Sequence, residues 1–85
     1  MGQVESVFCY IILTHYGTFY TGITNNMLRR WNEHKEGKSK YLSVFKPKEV
    51  VYWIECDNRK EAAKKERYIK SVGASKYLLR LQFRA

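Results

Sequence analysis

The position of Glu66 is difficult to explain by folding alone. An apolar stripe runs along this part of the chain at helical spacing: Ala62, Ile69 and Val72. In a helix of about 3.6 residues per turn, Glu66 falls beside that stripe. A carboxylate turned toward a protein interior is costly unless it is paired, hydrogen-bonded or bound to a metal. Glu66 is therefore a candidate functional carboxylate, and a structural ion pair with Arg30 or Lys65 is the alternative.

Arg30 and His34 form a second candidate pair. They are four residues apart and share a predicted helix face with Met27 and Trp31, which we expect to be in the core. This spacing puts the guanidinium and the imidazole at the margin of the buried face. The alternative is an arginine that extends its charged end to solvent and a partly covered histidine without a chemical role.

Tyr10 and Tyr20 are the third candidate pair. They lie in two runs that we expect to form neighbouring strands, so both hydroxyls could face one cleft. A buried tyrosine hydroxyl needs a polar partner. Taken alone, however, two buried tyrosines also fit ordinary core packing.

The pattern of apolar residues predicts three strands to carry these side chains. Residues 5–14 are almost uncharged and suit a strand covered on both faces. A turn at residues 15–17 joins them to a second strand at residues 18–23, which makes a hairpin. A third strand is expected at Val50–Ile54.

Three helices are predicted from capping residues and glycines. Thr24 or Asn25 can cap a helix that runs to about Lys35, with Gly37 beyond its end. A basic loop is expected at residues 38–48. Asp57 or Asn58 opens a second helix that ends at Gly73, and Ser75 can cap a short third one. The prediction is a single α+β domain over residues 1–85, with three helices flanking a three-stranded antiparallel or mixed sheet.

The charge of the chain points to a polyanionic partner. Sixteen Lys and Arg against eight Asp and Glu give a net charge of +8, and the excess is concentrated in residues 25–48 and 58–85. Such a surface raises the local concentration of nucleic acid, although basic helix faces also occur in proteins that do not bind it. No apolar run reaches the roughly 18 residues of a membrane span. Cys9 and Cys56 lack metal spacing, so we expect free thiols in a cytoplasmic protein.

Taken together, the candidate residues resemble the GIY-YIG nuclease superfamily. Phe8-Cys9-Tyr10 and Tyr20-Thr21-Gly22 stand at the positions of its two name-giving motifs, followed in order by Arg30, His34 and Glu66. The likeness covers the whole chain and is strongest to the small, single-domain bacterial branch. The chain also resembles the catalytic domain of the excision-repair incision subunit. The ordered series is specific, whereas Phe8-Cys9-Tyr10 alone is weak.

The resemblance implies a role for each residue. Glu66 would be the single metal-binding carboxylate, for one Mg²⁺ or Mn²⁺ ion, and Arg30 would hold the scissile phosphate. Tyr10 or Tyr20 would orient or deprotonate the attacking water, and His34 could relay its proton. The expected nucleic-acid contacts are a glycine that admits close backbone approach and four lysines: Gly22, Lys35, Lys38, Lys40 and Lys70.

Two function classes follow from the sequence. The first is a metal-dependent nuclease that hydrolyses phosphodiesters by attack of water. The alternative is a non-catalytic DNA- or RNA-binding module with the same fold, which is favoured by the absence of any asparagine after Asn58, where many family members have one. We expect DNA in preference to RNA as partner, a monomer, and a separate targeting protein. Trp31 and Trp53 are expected to be core residues rather than platforms for bases.

Overall fold

The chain folds as a three-stranded sheet covered by helices on both faces. The computed structural model describes residues 6–82. The strands are β1 (Val7–Thr14), β2 (Phe19–Thr24) and β3 (Pro47–Cys56). The helices are α1 (Met27–Lys35), α2 (Lys40–Phe45), α3 (Arg59–Val72) and α4 (Ala74–Gln82). The predicted α+β class is confirmed, and Glu5, which the prediction included in the first strand, lies outside the described residues.

The sheet is antiparallel throughout, with β1 in the centre of the order β2-β1-β3. Tyr10 pairs with Gly22 on one side and with Trp53 on the other. The ladder between β1 and β3 shifts register twice, between Ile11 and Ile12 and between Leu13 and Thr14. Both edges of β1 are therefore paired, which explains its nearly complete burial and its uncharged sequence.

Alternation along β1 builds a separate core on each face of the sheet. Cys9 and Ile11 pack with Ile69 of α3 and Tyr77 of α4. Tyr10 and Ile12 pack on the opposite face with Leu42 of α2, joined by partly buried Met27 and Trp31 of α1. The candidate residues of β1 and α1 thus share one layer, whereas Glu66, on α3, belongs to the other.

Asparagines cap α1 and α3, the two helices that carry candidate site residues. Asn26 caps α1, because its side chain accepts a hydrogen bond from the backbone N–H of Arg29, whereas Thr24 or Asn25 was expected. Thr24 instead supports the cap, since its hydroxyl donates to the carbonyl of Asn26. Asn58 caps α3 as predicted.

Two other helix boundaries differ from the sequence prediction. The expected basic loop at residues 38–48 contains α2, a fourth helix, followed by the start of a β3 that is longer than Val50–Ile54. The last helix begins at Ala74 directly after Gly73, so the expected cap Ser75 lies inside it. Gly73 ends α3 with φ of 98°, a conformation that favours glycine.

The cysteines and helices agree with two further expectations. Cys9 and Cys56 are free, and burial raises the pKa of the Cys9 thiol to about 11, which keeps it protonated and unreactive. Over residues 6–82, no helix has the length and apolar character needed to cross a membrane.

Candidate functional site

A hydrogen bond between Tyr10 and His34 forms the buried base of the candidate site. The Tyr10 Oη and His34 Nε2 atoms are 2.8 Å apart, and the two residues are 1% and 2% exposed. Burial raises the pKa of Tyr10, and the neighbouring Tyr20 raises it further. Burial lowers the pKa of His34, and the charge of Arg30 adds to this effect. Both side chains are therefore neutral at neutral pH.

His34 is held by this one polar contact in the described part of the chain. Its second ring nitrogen, Nδ1, is buried without a partner there. The sequence placed His34 at the margin of the helix face, but the structure buries it completely because α1 lies flat over the Tyr10 side of the sheet.

Gly22 makes room for the hydroxyl of Tyr10. A Cβ atom at position 22 would lie 2.6 Å from the Tyr10 Oη atom and 3.2 Å from Cε1 of Tyr20. Real Cβ atoms do not approach other heavy atoms this closely, so any side chain would displace the phenol. The space beside Gly22 is thus filled by the Tyr10 hydroxyl. Contact of Gly22 with nucleic acid remains a prediction.

Tyr20 is the more accessible of the two tyrosines. It is partly exposed, and its ring lies edge-on to the His34 ring, with the two centroids 5.2 Å apart. The centroids of the Tyr20 and Tyr10 rings are 6.3 Å apart. Tyr41 of α2 packs against its other side at 5.7 Å. The sequence prediction missed Tyr41 because it assigned residues 38–48 to a loop. The spacing of Tyr41, Leu42 and Phe45 matches one turn of a helix and was the available signal.

Arg30 places a positive charge at the edge of this cluster. It lies one turn before His34 on α1, its side chain is 39% exposed, and its charge lowers the pKa values of both Tyr10 and His34. The Nη1 atom is 3.3 Å from the carboxylate of Glu33, and the Nε atom is buried with no partner among residues 6–82. Arg30 therefore retains donors for an anion.

Glu66 approaches the cluster from the opposite layer. Its side chain is 23% exposed, and its Oε2 atom is 3.2 Å from the Nζ atom of Lys70, one turn later on α3. The ion pair is thus with Lys70, not with Arg30 or Lys65 as the sequence alternative held. The charge of Glu66 raises the pKa of Tyr10, so the carboxylate acts on the cluster electrostatically. Its partial exposure leaves it accessible to solvent.

One metal ion fits this donor set only with help from a substrate. The described residues contain no group of three or more His, Cys, Asp or Glu side chains that could hold a metal. Mg²⁺ commonly binds through one or two carboxylates, with waters and substrate phosphates as the other ligands. Glu66 meets that requirement as a single carboxylate, provided that it exchanges Lys70 for the ion.

The predicted lysine contacts are spread around the site. Lys35 lies on the last turn of α1, with its Nζ atom 5.7 Å from the centroid of the Trp31 ring. Lys38 pairs with Glu36 at 3.4 Å, Lys40 is exposed at the start of α2, and Lys70 pairs with Glu66. Their contact with nucleic acid remains a prediction.

The site is a shallow surface. Two clefts, of about 390 and 550 Å³, lie along the outer side of α1 and between the sheet and α4. Neither contains any of the five residues predicted to be catalytic. Tyr10, Tyr20 and His34 contact one another directly. The charge of Arg30 lowers the pKa values of Tyr10 and His34, and the charge of Glu66 raises that of Tyr10.

Comparisons with known proteins agree with this fold and with these motifs. The family model described as the GIY-YIG catalytic domain matches residues 6–78. UPF0213 protein DP2720 from Desulfotalea psychrophila is 38% identical over 71 residues, which are 81% of this chain; the match spans only 64% of that relative. UPF0213 protein SA0446 from Staphylococcus aureus is 33% identical over 76 residues, covering 88% of this chain and 93% of the relative.

A solved structure extends the comparison to three dimensions. The solution NMR structure of the UPF0213 protein BH0048 from Bacillus halodurans matches with a TM-score of 0.57 at 26% sequence identity. The match covers 93% of this chain and 85% of that one. The arrangement of helices and strands described above is therefore shared with a relative whose structure was solved independently.

Proposed function

The chain belongs to the GIY-YIG catalytic domain family, and from this premise we propose that it is a divalent-metal-dependent endonuclease domain. Its reaction would be hydrolysis of nucleic-acid phosphodiesters by attack of water. The observation that carries the proposal is the contact cluster of Tyr10, Tyr20 and His34 beside Arg30, whose Nε atom has no partner in the described part of the chain. Folding alone does not require a buried tyrosine–histidine pair next to an arginine with an unused donor.

Arg30 would bind the scissile phosphate. Its planar guanidinium can donate two parallel hydrogen bonds to phosphate oxygens, and its charge offsets the negative charge that develops on them during attack. This role is supported by the partial exposure of the Arg30 side chain and by its Nε atom, which has no hydrogen-bond partner among residues 6–82. The Arg30 side chain is 39% exposed, so its ion pair with Glu33 is weak. Glu33 therefore competes little with a phosphate for the guanidinium.

Tyr20 would orient the attacking water, because it is the tyrosine that solvent can reach. The raised pKa of Tyr10 argues against Tyr10 as the base acting alone. The water's proton would instead pass through the Tyr10 hydroxyl to His34, which is neutral at neutral pH and hydrogen-bonded to it. The new P–O bond then forms as the opposite ester bond breaks, and the leaving oxygen takes up a proton from solvent.

Glu66 would hold the metal ion, together with water and phosphate oxygens. When bound, a divalent ion supplies further neutralisation of charge at the phosphate. Its binding requires Glu66 to leave Lys70, whose side chain is 59% exposed and free to turn toward the nucleic-acid backbone. The predicted roles of Glu66 and Lys70 are linked in this way.

Glu66→Gln, with Glu61→Gln as matched control, tests this proposal. Both residues lie on α3, but Glu61 is exposed near the helix start. We expect wild-type protein with Mg²⁺ or Mn²⁺ to cleave at least one member of a panel of labelled DNA and RNA structures. Glu66→Gln should abolish this cleavage, while Glu61→Gln should retain it. Cleavage that survives Glu66→Gln would contradict the assignment.

The ion pair between Glu66 and Lys70 favours the second candidate, a nucleic-acid-binding module without catalysis. On that account the carboxylate serves only to stabilise α3, as a pair one turn apart does in many helices. Binding of the panel without cleavage by wild-type protein under either metal would select this candidate. The same experiment therefore decides between the two functions.

A further inference from the structure

An exposed tryptophan lies next to the candidate site. Trp53 is 60% exposed and Leu28 is 73% exposed, and with three partly buried neighbours they line a groove of about 210 Å³, here called the Trp53 groove. The lining residues are Met27, Leu28, Trp31, Val50 and Trp53. The expectation that Trp53 is a core residue is wrong: it lies on β3, an edge strand, and residues 6–82 leave its side chain largely exposed. This exposed apolar groove is a candidate docking surface.

The Trp53 groove adjoins the phosphate end of the site. Trp53 pairs directly with Tyr10 across β1 and β3, so both side chains leave the same face of the sheet about 5 Å apart at their Cβ atoms. The phenol of Tyr10 leans the other way, toward Gly22. The charge of Arg30 acts on Tyr10, so the groove and the candidate phosphate site both neighbour Tyr10 on this face of the sheet.

The surroundings favour a nucleobase as the occupant. The groove offers two indole rings and almost no polar surface, and Lys35 borders it with positive charge, its Nζ atom 5.7 Å from the Trp31 ring centroid. An aromatic face bordered by cations binds an unstacked base and its phosphates together. The base pairs of a duplex stack on one another and do not present a face to such a platform.

A second copy of this chain is a poorer occupant. Pairing along the free edge of β3 would need a regular strand, but β3 has two register shifts against β1, and such irregularities blunt edges. Each copy also carries a net charge of +8, which opposes self-association. The same charge attracts a polyanion.

We propose that Trp53 is the platform on which an unpaired base of single-stranded DNA stacks, adjacent to the phosphate bound by Arg30. This inference rests on the proposed function and specifies its substrate class. Trp53 would select unpaired DNA, while Arg30 and the lysines supply binding that is independent of sequence.

Binding measured without cleavage tests the platform. Fluorescence anisotropy in EDTA would compare a labelled single-stranded oligo-dT with a duplex of the same length, over a series of salt concentrations. The variants are Trp53→Ala, Trp53→Phe and Lys35→Ala. The matched control is Tyr68→Ala, because Tyr68 is an aromatic residue of similar exposure, 50%, on a helix of the opposite layer.

The expected pattern separates stacking from electrostatics. Wild-type protein should bind the single strand more tightly than the duplex. Trp53→Ala should weaken single-strand binding about 5- to 150-fold with an unchanged salt slope, because one stacked base contributes that range. Trp53→Phe should restore part of the loss. Lys35→Ala should reduce the salt slope by about 1, and Tyr68→Ala should bind like wild type.

Three results would overturn the platform. Unchanged single-strand binding by Trp53→Ala, or an equal loss for single strand and duplex, would do so and would leave the nuclease proposal intact if wild-type protein still cleaves. The absence of nucleic-acid binding by wild-type protein would remove both proposals together. Cleavage with Mg²⁺ is measured in parallel, so the two failures are distinguishable.

Discussion

At the scale of single residues, the contact between Gly22 and Tyr10 decides the shape of the site. Glycine is required at position 22 for a steric reason, because the Tyr10 hydroxyl occupies the place of a Cβ atom. The GIY-YIG family pattern includes a glycine here, and this contact gives that glycine a physical role in this chain. A substitution at position 22 should therefore act through Tyr10.

Gly22→Ala should destabilise the fold by about 1–3 kcal/mol, the usual cost of overpacking a core. The free energy of unfolding, measured with denaturant, checks this expectation. The same substitution in a Tyr10→Phe background should cost less, because the nearest atom, the Tyr10 Oη at 2.6 Å, is then absent. An equal cost in both backgrounds would show that the clash is not with this hydroxyl.

The buried His34 should make stability depend on pH below about 6.5, the ordinary pKa of histidine. Since burial and Arg30 lower its pKa in the folded state, the unfolded state binds more protons in the window below that value. The contribution of neutral His34 to the free energy of unfolding is thus complete above about pH 6.5 and is lost as the pH falls below that value.

Unfolding free energies of wild type and His34→Gln at pH 7.5 and pH 5 measure this contribution. Glutamine keeps a hydrogen-bonding group near Tyr10 but does not titrate. Wild type should lose more stability between the two pH values than the variant does. An identical loss in both proteins would assign the pH dependence to other groups.

At the scale of elements, the cap of α1 positions two candidate residues. Asn26 accepts a hydrogen bond from the backbone N–H of Arg29 at 2.9 Å, and α1 carries Arg30 and His34 on its next turns. Loss of the cap lets the first turn fray, which moves Arg30 away from the tyrosines.

Asn26→Ala should lower the free energy of unfolding by about 1 kcal/mol. Asn25→Ala is the matched control, because within residues 6–82 the side chain of Asn25 bonds only the exposed guanidinium of Arg29 and should contribute less than about 0.5 kcal/mol. Thermal or denaturant unfolding of the two variants would give the difference. Equal stability of both variants would contradict the assignment of Asn26 as the cap.

Several elements followed from the sequence because local signals and tertiary packing agree. β1 is a run of apolar residues and lies between two partner strands, and the helix opened by Asn58 has a cap, an apolar stripe and a terminal Gly73. The short α2 was missed because its charged neighbours and six-residue length resemble a loop. Its helical state depends on packing of Leu42 and Tyr41 against the sheet face, which no local pattern reports.

The sequence predicted some of the positions of the candidate residues, but not their contacts. Helix periodicity indicated that Glu66 points inward, but not that it pairs with Lys70. Strand pairing brought Tyr10 and Tyr20 together, whereas the complete burial of His34 and the exposure of Trp53 depend on where α1 crosses the sheet and on which strand forms the edge. Both depend on tertiary arrangement, which the sequence pattern does not encode locally.

At the scale of the whole molecule, a small fold presents a shallow, basic surface with a buried polar pair beneath it. The net charge of +8 supports capture of nucleic acid, and the contacts of Tyr10, Tyr20, His34 and Arg30 support chemistry at one phosphate. Charge alone does not distinguish a binding surface from a catalytic one. A catalytic site at Arg30 predicts that substitution of Arg30 slows cleavage far more than substitution of Arg29.

The comparison of Arg30→Ala with Arg29→Ala tests the central claim most directly. The two arginines are adjacent, but Arg29 bonds Asn25 on the outer surface, whereas Arg30 has a buried, unpartnered donor within residues 6–82. Single-turnover cleavage with Mg²⁺ should fall about 100- to 1,000-fold in Arg30→Ala, as when one transition-state donor is removed, and only a few-fold in Arg29→Ala. Equal rates in the two folded variants would contradict a nuclease site at Arg30.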